Sequence, residues 1–169
     1  MRAKPAHPRG FTLFELMLVI SIVGILAAAL LNRVLWYQER AEKAAMEQMA
    51  GVVQSALNLQ VAKLAAQDKL AEVERLALEN PTNWLAKKPP NYRGEYFDPE
   101  AGKVPPGNWY YDLKSHDLVY LVERTENFMS GEDKRKWVRY RVKLVYNNNQ
   151  HEIGGAVFEA AGGYSWFGG

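Results

Sequence analysis

Glu15 is the first residue whose surroundings demand chemistry. It is the one charged side chain between Phe11 and Leu31, where Thr12 and Ser21 are the remaining polar residues. A carboxylate inside an apolar environment costs roughly 2.5–3.5 kcal/mol on insertion scales, so it calls for a cationic partner. The plainer alternative is local, because a carboxylate in the first turn of a helix suits the positive end of the helix dipole. A second grouping is basic: Lys134, Arg135, Lys136, Arg139, Arg141 and Lys143 stand among Trp137 and Tyr140. Cations interleaved with aromatic rings can contact phosphates and stack bases. Alternation along a strand would also place Arg139, Arg141 and Lys143 on a solvent face, guarding an edge or meeting another subunit. Both readings stand at this point.

Reactive constellations are missing from the rest of the chain. There is no cysteine, which removes disulfides, thiolate nucleophiles and cysteine-ligated zinc. His7, His116 and His151 lack the spacing of a helical metal pair, and His116-Asp117 reads as turn residues. The segment from Gly163 to Phe167 lacks the second glycine of a nucleophile elbow, and no phosphate-binding glycine loop occurs. The acidic residues of the C-terminal loops do not gather into an oxygen-ligand cluster. The expectation is a non-enzymatic protein with no metal and no cofactor; activity of the soluble portion on a substrate would be needed to revive a membrane-anchored hydrolase.

The elements that hold these residues divide the chain. Phe11 to Leu31 at ~1.5 Å per residue extends roughly 30 Å, the thickness of a bilayer's hydrocarbon core. Arg2, Lys4 and Arg9 precede it, and positive flanks stay in the cytoplasm, so the N-terminus is expected inside and the body outside. A signal peptide shares the basic start and apolar run, and Ala27-Ala28-Ala29 could serve as its cleavage site, but it would have no use for Glu15. Gly24, Ala27 and Ala28 permit close helix contact. With 169 residues, 48% hydrophobic and 12% aromatic, the body is long and apolar enough for one packed domain.

The run from Gly10 through Phe11-Thr12-Leu13-Phe14-Glu15 into Leu16–Ala28 resembles the prepilin signature of the type IV pilins and pseudopilins. The resemblance implies that a membrane peptidase cuts between Gly10 and Phe11 and that Phe11 is N-methylated. It implies a cleaved leader (1–10), a transmembrane and filament-core helix segment (11–31) and a periplasmic head (32–169). A single-pass inner-membrane protein would thus become part of a helical filament. Its partners would be the prepilin peptidase, other pilin subunits and the inner-membrane assembly platform, and DNA in the case of an uptake receptor. Cleavage would create a cationic α-amine on Phe11, and pairing it with Glu15 of a neighbouring subunit would offset the cost of both isolated charges. Many major pilins carry a proline at the end of the apolar run and a C-terminal cysteine pair. Asn32 stands where that proline would be, and cysteine is absent. These departures favour a minor pilin-like subunit, with a type II secretion pseudopilin as the alternative, and an unbroken helix.

In the head, residues 32–66 favour continuation of the helix, with Ala45, Met49, Val52, Val53, Ala56, Leu57 and Leu64 expected on its buried face. Residues 67–108 read as a second helix from about Asp68, its N-cap, to Leu78, and then an irregular connector rich in proline and aromatics. Residues 109–169 read as four strands, Trp109–Leu113, Leu118–Arg124, Trp137–Tyr146 and Ile153–Ala160, with a turn at Asn147-Asn148-Asn149. The expected fold is α+β: a long N-terminal helix, transmembrane in its first half, packed on a four-stranded antiparallel sheet. The aromatic end, Tyr164 to Phe167, is expected either to cover a sheet edge or to reach a neighbour. Losing the leader would remove three of the 21 basic side chains and none of the 19 acidic ones, so the mild excess of positive charge belongs to the leader.

Overall fold

The structure is a computed structural model that describes residues 10–131, 134–147 and 153–168; the side chain of Asn32 is not described. The leader before Gly10, His7, His151 and the Asn148-Asn149 part of the expected turn lie outside these residues. The chain forms two compact units, one up to Arg40 and one from Ala41 onward. Helix α1 (Leu13–Ala65) runs through Asn32 without interruption, as the missing proline predicts.

In the first unit every described side chain from Leu13 to Leu31 is exposed. This is one helix long and apolar enough to cross a membrane. A helix that is apolar all round has to be covered by lipid or by other helices. Ser21 is compatible with either cover because its hydroxyl donates to the Met17 carbonyl oxygen at 2.8 Å.

In the second unit, the rest of α1 packs on a sheet. Met46, Val53 and Leu57 are buried there, with Met49, Ala50, Val61 and Leu64 partly so. Ala45 and Val52, expected on that face, are exposed instead. Val52 and Val53 lie about 100° apart around the helix, so only one can meet the sheet, and Met46 takes the position given to Ala45. The helix ends on Asp68, whose φ of 55° is left-handed. The Lys69 and Asp68 amides donate to the Leu64 and Ala65 carbonyls at 2.9 and 3.1 Å. That is a Schellman closure, so Asp68 terminates α1 and is not the N-cap of a second helix. The expected helix reduces to a 3₁₀ turn (Leu70–Glu72) and α2 (Val73–Leu76).

The sheet has five strands: β1 (Tyr92–Tyr96), β2 (Trp109–Asp112), β3 (Asp117–Leu121), β5 (Trp137–Tyr146) and β6 (Ile153–Ala161), in the order β1-β2-β3-β5-β6. The last four are the expected antiparallel strands. β1 corrects the reading of residues 81–108 as wholly irregular, and it pairs parallel to β2, so the sheet is mixed. A two-stranded ribbon joins β4 (Phe128–Met129) to β7 (Ser165–Trp166). The aromatic end therefore folds back into its own head: Trp166 is buried and meets Phe128 edge-on at 5.2 Å. Gly131 backs this ribbon, where a Cβ would collide with the Gly163 carbonyl oxygen.

Alternation sorts the strand residues between two layers. Trp109, Tyr111, Leu118, Tyr120, Val138, Tyr140, Val142 and Phe158 join the core that includes α1. Tyr110 and Val119 face the other way and are covered by Val104 of the connector, with Tyr96, Leu121 and Trp137 beside them. Two polar side chains fasten α1 to the sheet. The buried Glu42 carboxylate accepts from the Tyr120 hydroxyl at 3.0 Å and from the amides of Glu123 and Arg124 at 2.7 and 3.0 Å. Gln54 Oε1 accepts from the Phe158 amide at 2.6 Å, occupying a donor on the outer edge of β6.

Candidate functional site

The N-terminal junction is built by local chemistry. Gly10 and Phe11 precede α1 and are exposed. A Cβ at residue 10 would meet nothing within 4 Å, and its φ is not left-handed, so no feature of the described chain requires glycine there. Thr12 opens the helix: its Oγ1 accepts from the Glu15 amide at 3.2 Å and its carbonyl from the Leu16 amide at 3.1 Å. Thr-x-x-Glu is the spacing of a capping box. Threonine supplies the cap acceptor, while the Glu15 side chain is exposed and has no hydrogen-bond or ion-pair partner among the described residues. The first-turn position suits its charge, but a carboxylate in an apolar layer still needs a cation from outside this helix.

Arg139, Arg141 and Lys143 stand on β5 with their side chains away from the α1 core, and each meets an acid. Arg141 grips the fully buried Asp117 with two parallel bonds, Nε to Oδ1 at 2.8 Å and Nη2 to Oδ2 at 3.0 Å. This contact raises the Arg141 pKa above its ordinary value. Arg139 Nη1 lies 3.8 Å from the same carboxylate, and Lys143 Nζ is 3.0 Å from Glu159. Charges answered in this way make a poor phosphate track. Tyr140, a candidate for base stacking, is buried and stacked on Phe158 at 5.3 Å, which overturns that role. Trp137 has the guanidinium of Arg135 4.6 Å above its ring, and that of Arg139 at 5.4 Å.

The head has two notable hollows. One, of about 620 Å³, is lined by Asp98, Glu100, Val104, Tyr110, Arg135 and Trp137 among others. The other, of about 450 Å³, lies between the start of β5 and the Gly162-Gly163 bend. Burial pushes the Tyr110 hydroxyl up to about 12, which keeps it protonated and unsuited to act as a base. His116 occupies the β2–β3 turn in a left-handed conformation, 3.2 Å from the Tyr111 hydroxyl. Among the described residues no group of three His, Asp or Glu side chains could hold a metal ion.

Two features escaped the pattern reading. Glu42 precedes Met46 and Met49 at helical spacing, so it lies on the buried face of α1, and a charge there has to have partners. Asp117 has the spacing of a turn residue, yet it is the buried anion that orders the arginines of β5. Nothing near it in the sequence names those partners.

A family model of the prokaryotic N-terminal methylation motif matches residues 6–31. The chain therefore carries the signature of type IV pilins and pseudopilins, and the motif implies processing by prepilin peptidase and assembly with other pilins. Comparison with curated proteins and with solved structures gives no match.

Proposed function

We propose that the chain is a non-enzymatic, minor pilin-like subunit of a type IV pilus filament. In this reading the peptidase cuts between Gly10 and Phe11, Phe11 is methylated, and the chain is held in the inner membrane with its head in the periplasm until assembly. The observation that carries it is Glu15: one carboxylate without a partner among the described residues, in the first turn of an exposed apolar helix, four residues after the residue that cleavage would turn into an α-amine. In a bundle of such helices, Glu15 of one subunit and Phe11 of the next neutralise each other and set the axial register. The exposed side of α1 in the head supports the same role, because Ala41, Ala45, Val52, Leu59 and Ala62 recur at helical spacing and present small or apolar side chains.

Intact-mass analysis of chain purified from membranes tests the first step. The expected product begins at methylated Phe11; a retained leader overturns the proposal. A pseudopilin of a type II secretion system shares the junction and the helix, and deletion separates the two, abolishing surface pili in one case and secretion in the other.

The DNA-uptake variant of the proposal loses ground to the ion pairs on β5. Its test belongs at Lys134 and Lys136, because reversing Arg139 or Arg141 would set new carboxylates against the buried Asp117. Salt-sensitive retention on DNA that disappears in Lys134→Glu/Lys136→Glu would restore it.

A further inference from the structure

We propose that the head carries a self-complementary patch, Phe97 beside the hollow of about 620 Å³, through which two copies of this chain pair about a two-fold axis, each Phe97 seated in the other's hollow. Phe97 is 72% exposed although it stands on a rigid support. It follows β1 directly, and the chain turns after it at Asp98, whose φ of 44° is left-handed. Asp112 at the end of β2 holds that turn: its Oδ1 accepts from the Asp98 amide at 3.1 Å and from the Lys114 amide at 2.9 Å. The Lys114 ammonium closes it on Asp98 at 2.6 Å. The Leu113 amide donates to the Tyr96 carbonyl at 2.8 Å, which extends the β1–β2 pairing to Leu113, itself 40% exposed. An aromatic side chain held out on so fixed a backbone loses little conformational freedom when a partner covers it.

The hollow begins where this knob ends, since Asp98 and Pro99 line it. Val104, Leu121 and Trp137 give it apolar walls, and its volume lies in the range of sites that enclose whole small molecules, more than a phenyl ring fills. Charge names the occupant. Glu100 and Lys136 also line the hollow; both are exposed, and neither side chain has a hydrogen-bond or ion-pair partner among the described residues. An acid and a base left unpaired in one patch suit a partner that offers both signs in reverse order. A second copy related by a two-fold axis does so, because every contact in such an interface occurs twice: Glu100 of each copy meets Lys136 of the other, and each Phe97 meets the other's apolar walls. A two-fold contact closes on itself, so it holds subunits in pairs and does not propagate a filament.

The test uses the full chain in detergent micelles, with Phe97 replaced by the photoreactive p-benzoylphenylalanine, whose added ring the hollow has room to accept. Irradiation is expected to give an adduct of twice the chain mass, joined from position 97 of one copy to the Pro99–Val104 wall or Leu121 of the other. Glu100→Lys or Lys136→Glu alone is expected to lower its yield about tenfold, because each sets like charges against one another across the axis. Mixing these two variants is expected to restore the yield, since a Glu100→Lys copy facing a Lys136→Glu copy has opposite charges in both pairs. Both substitutions fall on exposed side chains, and circular dichroism checks that the head is folded. No adduct of twice the chain mass, an adduct joined through α1, single variants that pair as well as the parent, or a mixture no better than its components would each overturn the proposal. None of these outcomes bears on cleavage at Gly10–Phe11, which intact mass reads separately.

Discussion

Helix α1 is one element with two kinds of surface. From Leu13 to Leu31 its apolar side chains are exposed on all sides, and its one carboxylate has no partner among the described residues. From Ala41 to Ala65 it is amphipathic: one face is buried against the sheet, and its inward carboxylate, Glu42, is held by three donors. The contrast shows where each segment finishes folding. The second segment finds its partners within its own chain, and the first leaves both its apolar surface and its charge for lipid or for other subunits.

The sharpest way to break this contrast is at the unsatisfied carboxylate. Glu15→Val should leave cleavage and membrane insertion intact while lowering recovery in sheared filaments by more than tenfold, because a neighbour's Phe11 amine would be buried unpaired. Immunoblots of filament and membrane fractions measure this, and undiminished incorporation would sink the assembly role. In the head, charges are answered internally, so the cost appears as lost stability. Arg141→Leu strips the bidentate partner from the buried Asp117 and should destabilise the head by roughly 3–5 kcal/mol in urea unfolding.

Burial also gives the head an alkaline limit. It raises the phenols of Tyr111 and Tyr110 to about 12 and those of Tyr120 and Tyr140 further. A raised folded pKa contributes stability that is complete below the unfolded value near 10 and is lost as pH rises through the folded values. Stability should therefore fall by roughly 5 kcal/mol between pH 9 and 11, with the absorbance of these four phenolates appearing only on unfolding. Titration of these four phenols at pH 10 in the folded head would contradict this.

Smaller effects refine the two faces of α1. Leu57→Ala should cost roughly 2–4 kcal/mol, and Leu59→Ala, 69% exposed, less than about 0.5. If Leu59→Ala nevertheless reduces filament recovery, its face makes subunit contacts. Glu42→Gln should cost about 1–2 kcal/mol, since the amide accepts fewer of the three bonds; a neutral result in urea unfolding would show that this fastening contributes little.

The reach of the sequence differs between the same two regions. The apolar run and the intact helix could be read directly because each depends on residues within a turn or two of one another. The four antiparallel strands could be read because alternation survives in Trp137–Tyr146 and its neighbours. β1 was hidden: Tyr-Arg-Gly-Glu-Tyr among prolines carries no strand period, and its pairing with β2 spans the connector. Asp68 looked like an N-cap because aspartate serves there as well as in left-handed caps, and only the backbone that follows α1 decides which. Tyr140 and the arginines beside it presented the cations and rings of a nucleic-acid surface until pairing turned the ring inward and set Asp117 against the arginines.

Local spacing alone thus establishes the N-terminal segment of this protein, an apolar helix with one carboxylate in its first turn, because capping, helical period and hydrophobic length are short-range properties. Which charges in the head remain for a partner is decided only by tertiary structure. Glu42 and Tyr120, Asp117 and Arg141, and Gln54 and Phe158 are brought together by strand pairing and helix docking across long stretches of chain, and no short-range pattern records such contacts.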